Sequence, residues 1–435
     1  IEYIPSERVT DVVYFAPFDT QFPISFNVLE DVEPDLRHLV MAGLMASFKK
    51  IWPDSFSARM EYILANTLLA LLEYPEATLL GVNRMLAEKD YRDDVIKHIT
   101  DSSVKAFWVD EYNKWDPRYA KEAGAAIQNK IGQFTSNPLI RNIIGQKETS
   151  FDLRHMMDNQ KILLVNLSKG QIGESNANLL GGMLITKLYL AAMSRADVGA
   201  SGIKNLPPFF FFVDEFQNFA NESFADILAE ARKYKLNLTV AHQYVDQMQE
   251  EVASAIFGNV GTMITFRIGA TDAEVFEKQF APTFTAEDIV NLGKYQIYLS
   301  LMIDGIGSRP FSAGTLAPIE PQAESMKQHI IANSRYEYAA ERHVVEAEIE
   351  KWYEPIKKPV KKRINNPKDI NKAGEKKTFK AAMPSSKKTQ KDDLSSLVSN
   401  VHKKKESSSK NVNKKSRDFD SPAKKAIKEV SEKEA

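Results

Sequence analysis

Four consecutive phenylalanines and a valine, Phe209–Val213, stop on two carboxylates, Asp214 and Glu215. A run of large apolar residues leaves no solvent face, so it reads as a buried strand of a parallel sheet covered by helices. The two acids then stand at the carboxyl end of that strand, the edge where such sheets bind ligands. Taken alone, the pair reads equally well as two solvated acids closing a buried strand.

The neighbouring sequence repeats the pattern. From residue 150 onward, short apolar runs alternate with helical ones. Lys161–Leu167 is a strand, Ser175–Ser194 a helix with small residues (Gly181, Gly182, Ala191, Ala192), and Phe209–Val213 a second strand. Asn221–Tyr234 is a helix, Leu236–Ala241 a strand, Val245–Phe257 a helix and Thr262–Phe266 a strand. Asp272–Phe280 (helix) and Gln296–Met302 (strand) complete the series. This alternation predicts an α/β fold, a parallel sheet with helices on both faces. An isolated strand is expected within residues 9–18, at Val12–Phe15. Residues 34–150 differ: apolar residues recur at helical spacing, and Pro34, Pro53, Pro75 and Pro117 punctuate them, which predicts an all-helical insertion of six or seven helices. The expected division is therefore 1–33 and 151–320 as one α/β domain, 34–150 as the insertion, 321–355 as one long helix packed outside, and 356–435 as a tail.

Charge separates the tail from the body. Residues 356–435 hold 24 Lys and Arg against 10 Asp and Glu, whereas residues 1–355 hold 33 against 48. With so few apolar residues the tail is expected to be disordered. Clusters such as Lys361-Lys362-Arg363 and Lys403-Lys404-Lys405 suit a phosphate backbone, and suit a solvated linker equally. The chain has no cysteine, which excludes disulfides and thiolate metal sites and fits a reducing compartment. No run reaches the ~20 uncharged apolar residues of a membrane span. The sequence opens on Ile1-Glu2-Tyr3, with no initiator Met and no signal-peptide pattern, which reads as the start of a fragment.

Further polar residues gather near the acid pair in sequence. His242 and Gln243 follow the strand Leu236–Ala241 at the same sheet edge; Gln243 reads as a polar group facing a ligand there or as a loop residue facing solvent, and His242 is assigned no role. Arg232 closes the intervening helix, either as a cation complementing the helix dipole or as an arginine reaching a neighbouring subunit. Arg267, just after Thr262–Phe266, is the competing candidate.

The segments Phe212–Gln217, Leu228–Lys233 and Thr239–Gln243, together with Ile162–Gly170 and Asn259–Gly269, resemble the conjugative coupling proteins of type IV secretion. These belong to the hexameric, RecA-like, P-loop DNA-pumping ATPases. The order of parts is similar too, since the family carries an all-helical domain between its phosphate loop and the strand bearing the two acids. The resemblance covers about residues 1–350. It implies ATP and Mg²⁺ as cofactors, with Asp214 holding Mg²⁺ through water, Glu215 as the catalytic carboxylate, Gln243 as the sensor and Arg232 as the trans-acting arginine. It also implies a homo-hexamer, DNA (single-stranded, with its relaxase) as cargo, and a secretion channel reached from the cytoplasmic face of the bacterial inner membrane through an anchor outside this sequence.

One departure is plain. No G-x-x-x-x-G-K-S/T occurs in the 435 residues; Gly181-Gly182 lacks the following Lys, and Gly305-Ile306-Gly307 belongs to a turn. The resemblance places that loop just upstream of Ile1, and the chain as it stands is expected to turn over ATP weakly or not at all. Two other functions stay open: a cytosolic DNA translocase without a secretion channel, and a non-hydrolysing scaffold that binds DNA through its tail.

Overall fold

A computed structural model describes residues 1–321 and 323–355. The basic tail, residues 356–435, lies outside them, and with it the expectation of disorder.

Val12–Phe15 (β1) pairs in parallel with Ile162–Val165 (β2), Val12 opposite Ile162 and Phe15 opposite Val165. Residues 34–150 between them contain helices and turns only. Several helices there start as the prolines foretold. Pro117 occupies a first-turn position of Pro117–Thr135, where a missing N–H costs nothing, and Pro34 and Pro53 open short 3₁₀ turns; Pro138, which the sequence reading did not single out, does the same for Pro138–Ile144. Asp116 and Asn137 cap those helices by accepting from the backbone N–H of Arg118 and Leu139. The core of this part is aromatic and aliphatic, with Trp108 fully buried and its indole N–H donating to Asn66 O at 3.2 Å.

The small residues of the helix Glu174–Met193 do what their size allows. That helix lies on Arg37–Ile51 so closely that a Cβ at Gly43 would fall 2.5 Å from Thr186 Oγ1, and one at Gly182 would collide with Ser47. By length and composition Glu174–Met193 lies in a stretch that could cross a bilayer, but Leu179, Leu180 and Met183 are wholly buried in the core of this fold.

Phe209–Val213 (β3) pairs in parallel with Leu236–Val240 (β4), Phe209 opposite Leu236 and Val213 opposite Val240. The parallel pairing read from the sequence is thus present in β1–β2 and β3–β4. The later strands depart from it. Met263–Thr265 (β5) and Gln296–Ser300 (β6) run antiparallel, with Met302–Ile303 (β7) and Ile306–Gly307 (β8) as a short hairpin and Phe311–Gly314 (β9) on the far side of β6. Their apolar runs alone do not distinguish the two directions.

Two further expectations are corrected. Residues 321–353 are not one helix but two, Lys327–Tyr338 and Arg342–Trp352. The break follows from contacts far away in sequence: Ala339 bridges to Ile24, and Arg342 N–H donates to Gln21 O at 2.9 Å. The first of these helices is not external, because Ser334 Oγ donates to Val12 O and accepts from Tyr14 N–H, tying it to β1. Nor is β3 buried on both sides. Phe209, Phe211 and Val213 face the core with Leu236, Leu238 and Val240, whereas Phe210 and Phe212 are 61% and 70% exposed. No described element packs over that second face.

Candidate functional site

The turn after β3 carries the acid pair. Glu215 sits in the left-handed region, φ 52° and ψ 42°, a conformation that a non-glycine residue adopts only when its surroundings hold it there. Those surroundings are specific. Ala241 N–H donates to Val213 O at 2.9 Å, and Phe216 N–H donates to Ala241 O at 2.8 Å, so the turn is laced to the end of β4. Phe216 is fully buried against Phe224, with ring centroids 4.5 Å apart. Asn218 then closes the turn by donating from its backbone and side-chain N–H to Glu215 O, at 3.0 and 2.9 Å.

Both carboxylate oxygens of Glu215 are engaged. Gln217 Nε2 donates to Oε2 at 2.6 Å and Gln243 Nε2 donates to Oε1. Gln217 is itself only 6% exposed, so its amide is a fixed donor. Two neutral amides hold the carboxylate in one orientation without neutralising its charge, and each oxygen keeps a second lone pair for a further donor. Asp214 is exposed, with Oδ1 accepting from Glu215 N–H at 3.0 Å. Lys169 completes the rim: its ammonium donates to Asn218 Oδ1 at 2.6 Å and pairs with Glu174 at 3.0 Å.

The structure therefore brings Asp214, Glu215 and Gln243 together at one edge of β3–β4. Arg232 is elsewhere. It lies exposed in the 3₁₀ turn Ala231–Tyr234 that enters β4, whereas Gln243 follows its exit, roughly 17 Å of strand away at ~3.3 Å per residue. Within one chain Arg232 does not reach Glu215. Arg267 follows β5 and borders the same cleft as Gln243 and Arg232; neither arginine makes an ion pair with a described residue. His242 is half-buried, and burial holds its pKa below the ordinary histidine value, against the pull of Asp272.

Sequence reasoning missed the group that positions the strands. Arg195 is fully buried and forks across three oxygens. It pairs with Asp158 at 2.9–3.0 Å and donates to Pro207 O at 3.1 Å and Tyr234 O at 3.0 Å, just before β3 and just before β4. A planar guanidinium is suited to this because its donors are fixed in one fork. Gln217 was missed as well; its only sequence signal is its position two residues after Glu215. Among the described residues no cluster of three or more His, Cys, Asp or Glu side chains gathers to bind a metal.

Comparison with known proteins places this segment in a class. A family model described as the TraM recognition site of TraD and TraG matches residues 208–291, a stretch that contains Asp214, Glu215, Arg232, Gln243 and Arg267. No curated protein sequence matches the chain. Among solved structures, the chain is similar to the bacterial conjugative coupling protein TrwBdeltaN70 in its trigonal form with sulphate (TM-score 0.47, 12% identity, 74% of this chain and 78% of that one). It is similar also to the unbound monoclinic form (0.46, 13%, 74% and 76%) and to the plasmid coupling protein TrwB in complex with the non-hydrolysable ATP analogue ADPNP (0.46, 13%, 72% and 75%).

Proposed function

We propose that this chain forms the motor of a conjugative coupling protein, an ATPase that feeds DNA to a secretion channel. The observation that carries the proposal is the pair Asp214–Glu215 at the carboxyl end of β3, with Gln243 from β4 bound to Glu215, inside the one segment that matches the coupling-protein family model.

The donor set fits Mg²⁺–ATP on the acid side. Mg²⁺ is a hard cation that takes one or two carboxylates and keeps several waters, and Asp214 offers an exposed carboxylate with one oxygen tied to Glu215 N–H and the other free. When bound, Mg²⁺–ATP supplies the phosphoryl group and neutralises its charge. Asp214 would hold the Mg²⁺ through water, and Glu215 would accept the proton of the attacking water on a lone pair its amide partners leave open. Gln217 and Gln243 keep that carboxylate aimed, and Gln243 would meet the γ-phosphate when nucleotide is bound. Arg232, too distant from its own acids, acts on the site of a neighbouring subunit, with Arg267 as the alternative; this requires a ring, which we take to be a hexamer. The phosphate cradle itself is not among these residues. Cargo, on this reading, is DNA, single-stranded with its relaxase attached, received by the helical insertion at 34–150 and drawn to the cytoplasmic face of the inner membrane. The family description adds a TraM-type protein partner docking on 208–291.

The absence of G-x-x-x-x-G-K-S/T from the sequence favours one other reading, a DNA-binding scaffold that does not hydrolyse ATP. Phosphate release by the product of the complete reading frame, with and without DNA, decides between them. Release that rises with DNA supports the motor; none under either condition leaves the scaffold.

A further inference from the structure

The turn that carries Glu215 has an anchor besides Gln217 and Gln243, and it comes from another strand. β2 ends at Val165, and the chain then makes a single helical turn, Lys169–Ile172. Gly173 follows with φ 84° and ψ 150°, a conformation that glycine adopts freely and other residues rarely. This bend starts the helix Glu174–Met193 and leaves Lys169 beside its first residue. The Lys169 ammonium pairs with Glu174 Oε1 at 3.0 Å and donates to Asn218 Oδ1 at 2.6 Å.

Asn218 is the residue that closes the acid turn. An ammonium can only donate, so it fixes which end of the Asn218 amide faces it. With Oδ1 on Lys169, Nδ2 is left to donate to Glu215 O at 2.9 Å, beside the backbone N–H of the same residue at 3.0 Å. Phe219, next in sequence, is pressed on the helix that Glu174 opens: a Cβ at Gly181 would fall 2.2 Å from Phe219 Cε1. The turn that holds Glu215 at φ 52° is thus fixed from the side of β2 as well as from β4. β2 and β3 belong to different sheets, and Lys169 ties their carboxyl ends together.

We propose that Lys169 is a positioning residue for Glu215, acting through Asn218 on the backbone of the acid turn and not by touching nucleotide. The pair Lys169–Glu174 alone does not carry this, because both side chains are well exposed, at 40% and 67%, and exposed ion pairs contribute little. The bond to Asn218 does. It is short and charge-assisted, the stronger kind of hydrogen bond, and it sets an amide that donates straight to the residue in the left-handed region. The role rests on the reading of Glu215 as the group that activates water; the chain of contacts does not.

Steady-state phosphate release by the product of the complete reading frame tests this, with ATP varied so that kcat and KM separate. Lys169→Ala and Asn218→Ala should each lower kcat by about 10- to 100-fold, as a catalytic group shifted by about 1 Å would, and leave KM unchanged. The double variant should be no slower than Asn218→Ala alone, since the two act in one chain of contacts. Lys169→Arg keeps a donor for Asn218 and should recover most of the rate. An unchanged kcat in Lys169→Ala would overturn the proposal. A KM raised about 10-fold at constant kcat would overturn it too, by placing the ammonium on the nucleotide itself. So would a double variant slowed by the product of the single effects, which means independent action. If the unaltered protein releases no phosphate, the hydrolysis reading fails and takes this role with it; each of the other adverse results removes Lys169 alone.

Discussion

Gln243, the third residue past β4, donates its side-chain amide to Glu215 Oε1 on the turn after β3, so two adjacent strands share one carboxylate. The bond gives a direct expectation. Gln243→Ala leaves Glu215 held by Gln217 alone. Misplacement of a catalytic group by about 1 Å costs up to ~100-fold, so steady-state phosphate release should fall by about 10- to 100-fold. Unfolding in urea should be unchanged, because Gln243 is exposed.

Arg195 should matter for stability and not for chemistry. Arg195→Ala leaves the Asp158 carboxylate to Arg154 alone and takes from the carbonyls of Pro207 and Tyr234 their buried donor. Hydrogen bonds to a charged group contribute about 1.5–3 kcal/mol each, and a loss of that order is expected. Equilibrium urea unfolding measures it, and Arg195→Lys should recover only part, since an ammonium does not reproduce the fork.

The contact between Gly43 and Thr186 sets how closely the helices Arg37–Ile51 and Glu174–Met193 approach. Gly43→Val overpacks it, at a cost of about 1–3 kcal/mol. Thr186→Ala removes the opposing atoms, and the double variant should recover more than the single effects sum to, a coupling expected of residues in contact. Thermal unfolding of the four proteins closes the cycle.

Some of this was legible in the sequence and some was not. β3, its acid pair and its pairing with β4 follow from an apolar run and its ending. The close helix contact follows from Gly182, and several helix starts from prolines. These signals are local. Arg195 draws its partners from positions 158, 207 and 234, and no periodicity announces such a fork. The break at Ala339 depends on Ile24, more than 300 residues earlier. The antiparallel course of β5 and β6 depends on edge contacts that a three-residue strand cannot encode. Phe210 and Phe212 mislead for a different reason: their composition suits burial, but no described residue covers them.

Arg232 lies too far from its own acids to assist them, and the proposed function gives it a role on the site of a neighbouring subunit. Arg232→Ala should lower turnover of the assembled protein, and mixing it with Glu215→Gln subunits should restore part, since each supplies what the other lacks. Phosphate release across mixing ratios reads this; a flat, inactive curve would contradict action in trans.

Deleting residues 356–435 removes 24 Lys and Arg. Each lost phosphate contact reduces the slope of log affinity against log salt by about 0.9 on duplex DNA or ~0.7 on a single strand. DNA binding titrated across salt should weaken and flatten; an unaltered slope would make the tail a linker.

The central claim is that Glu215 activates water for ATP hydrolysis. Its most direct test is Glu215→Gln in the product of the complete reading frame, with phosphate release and nucleotide binding measured on the same sample. The account predicts release lowered by at least about 100-fold, the range lost with a general base, while ATP still binds. Release equal to that of the unaltered protein would contradict it and return Glu215 to the role of a solvated acid closing a strand.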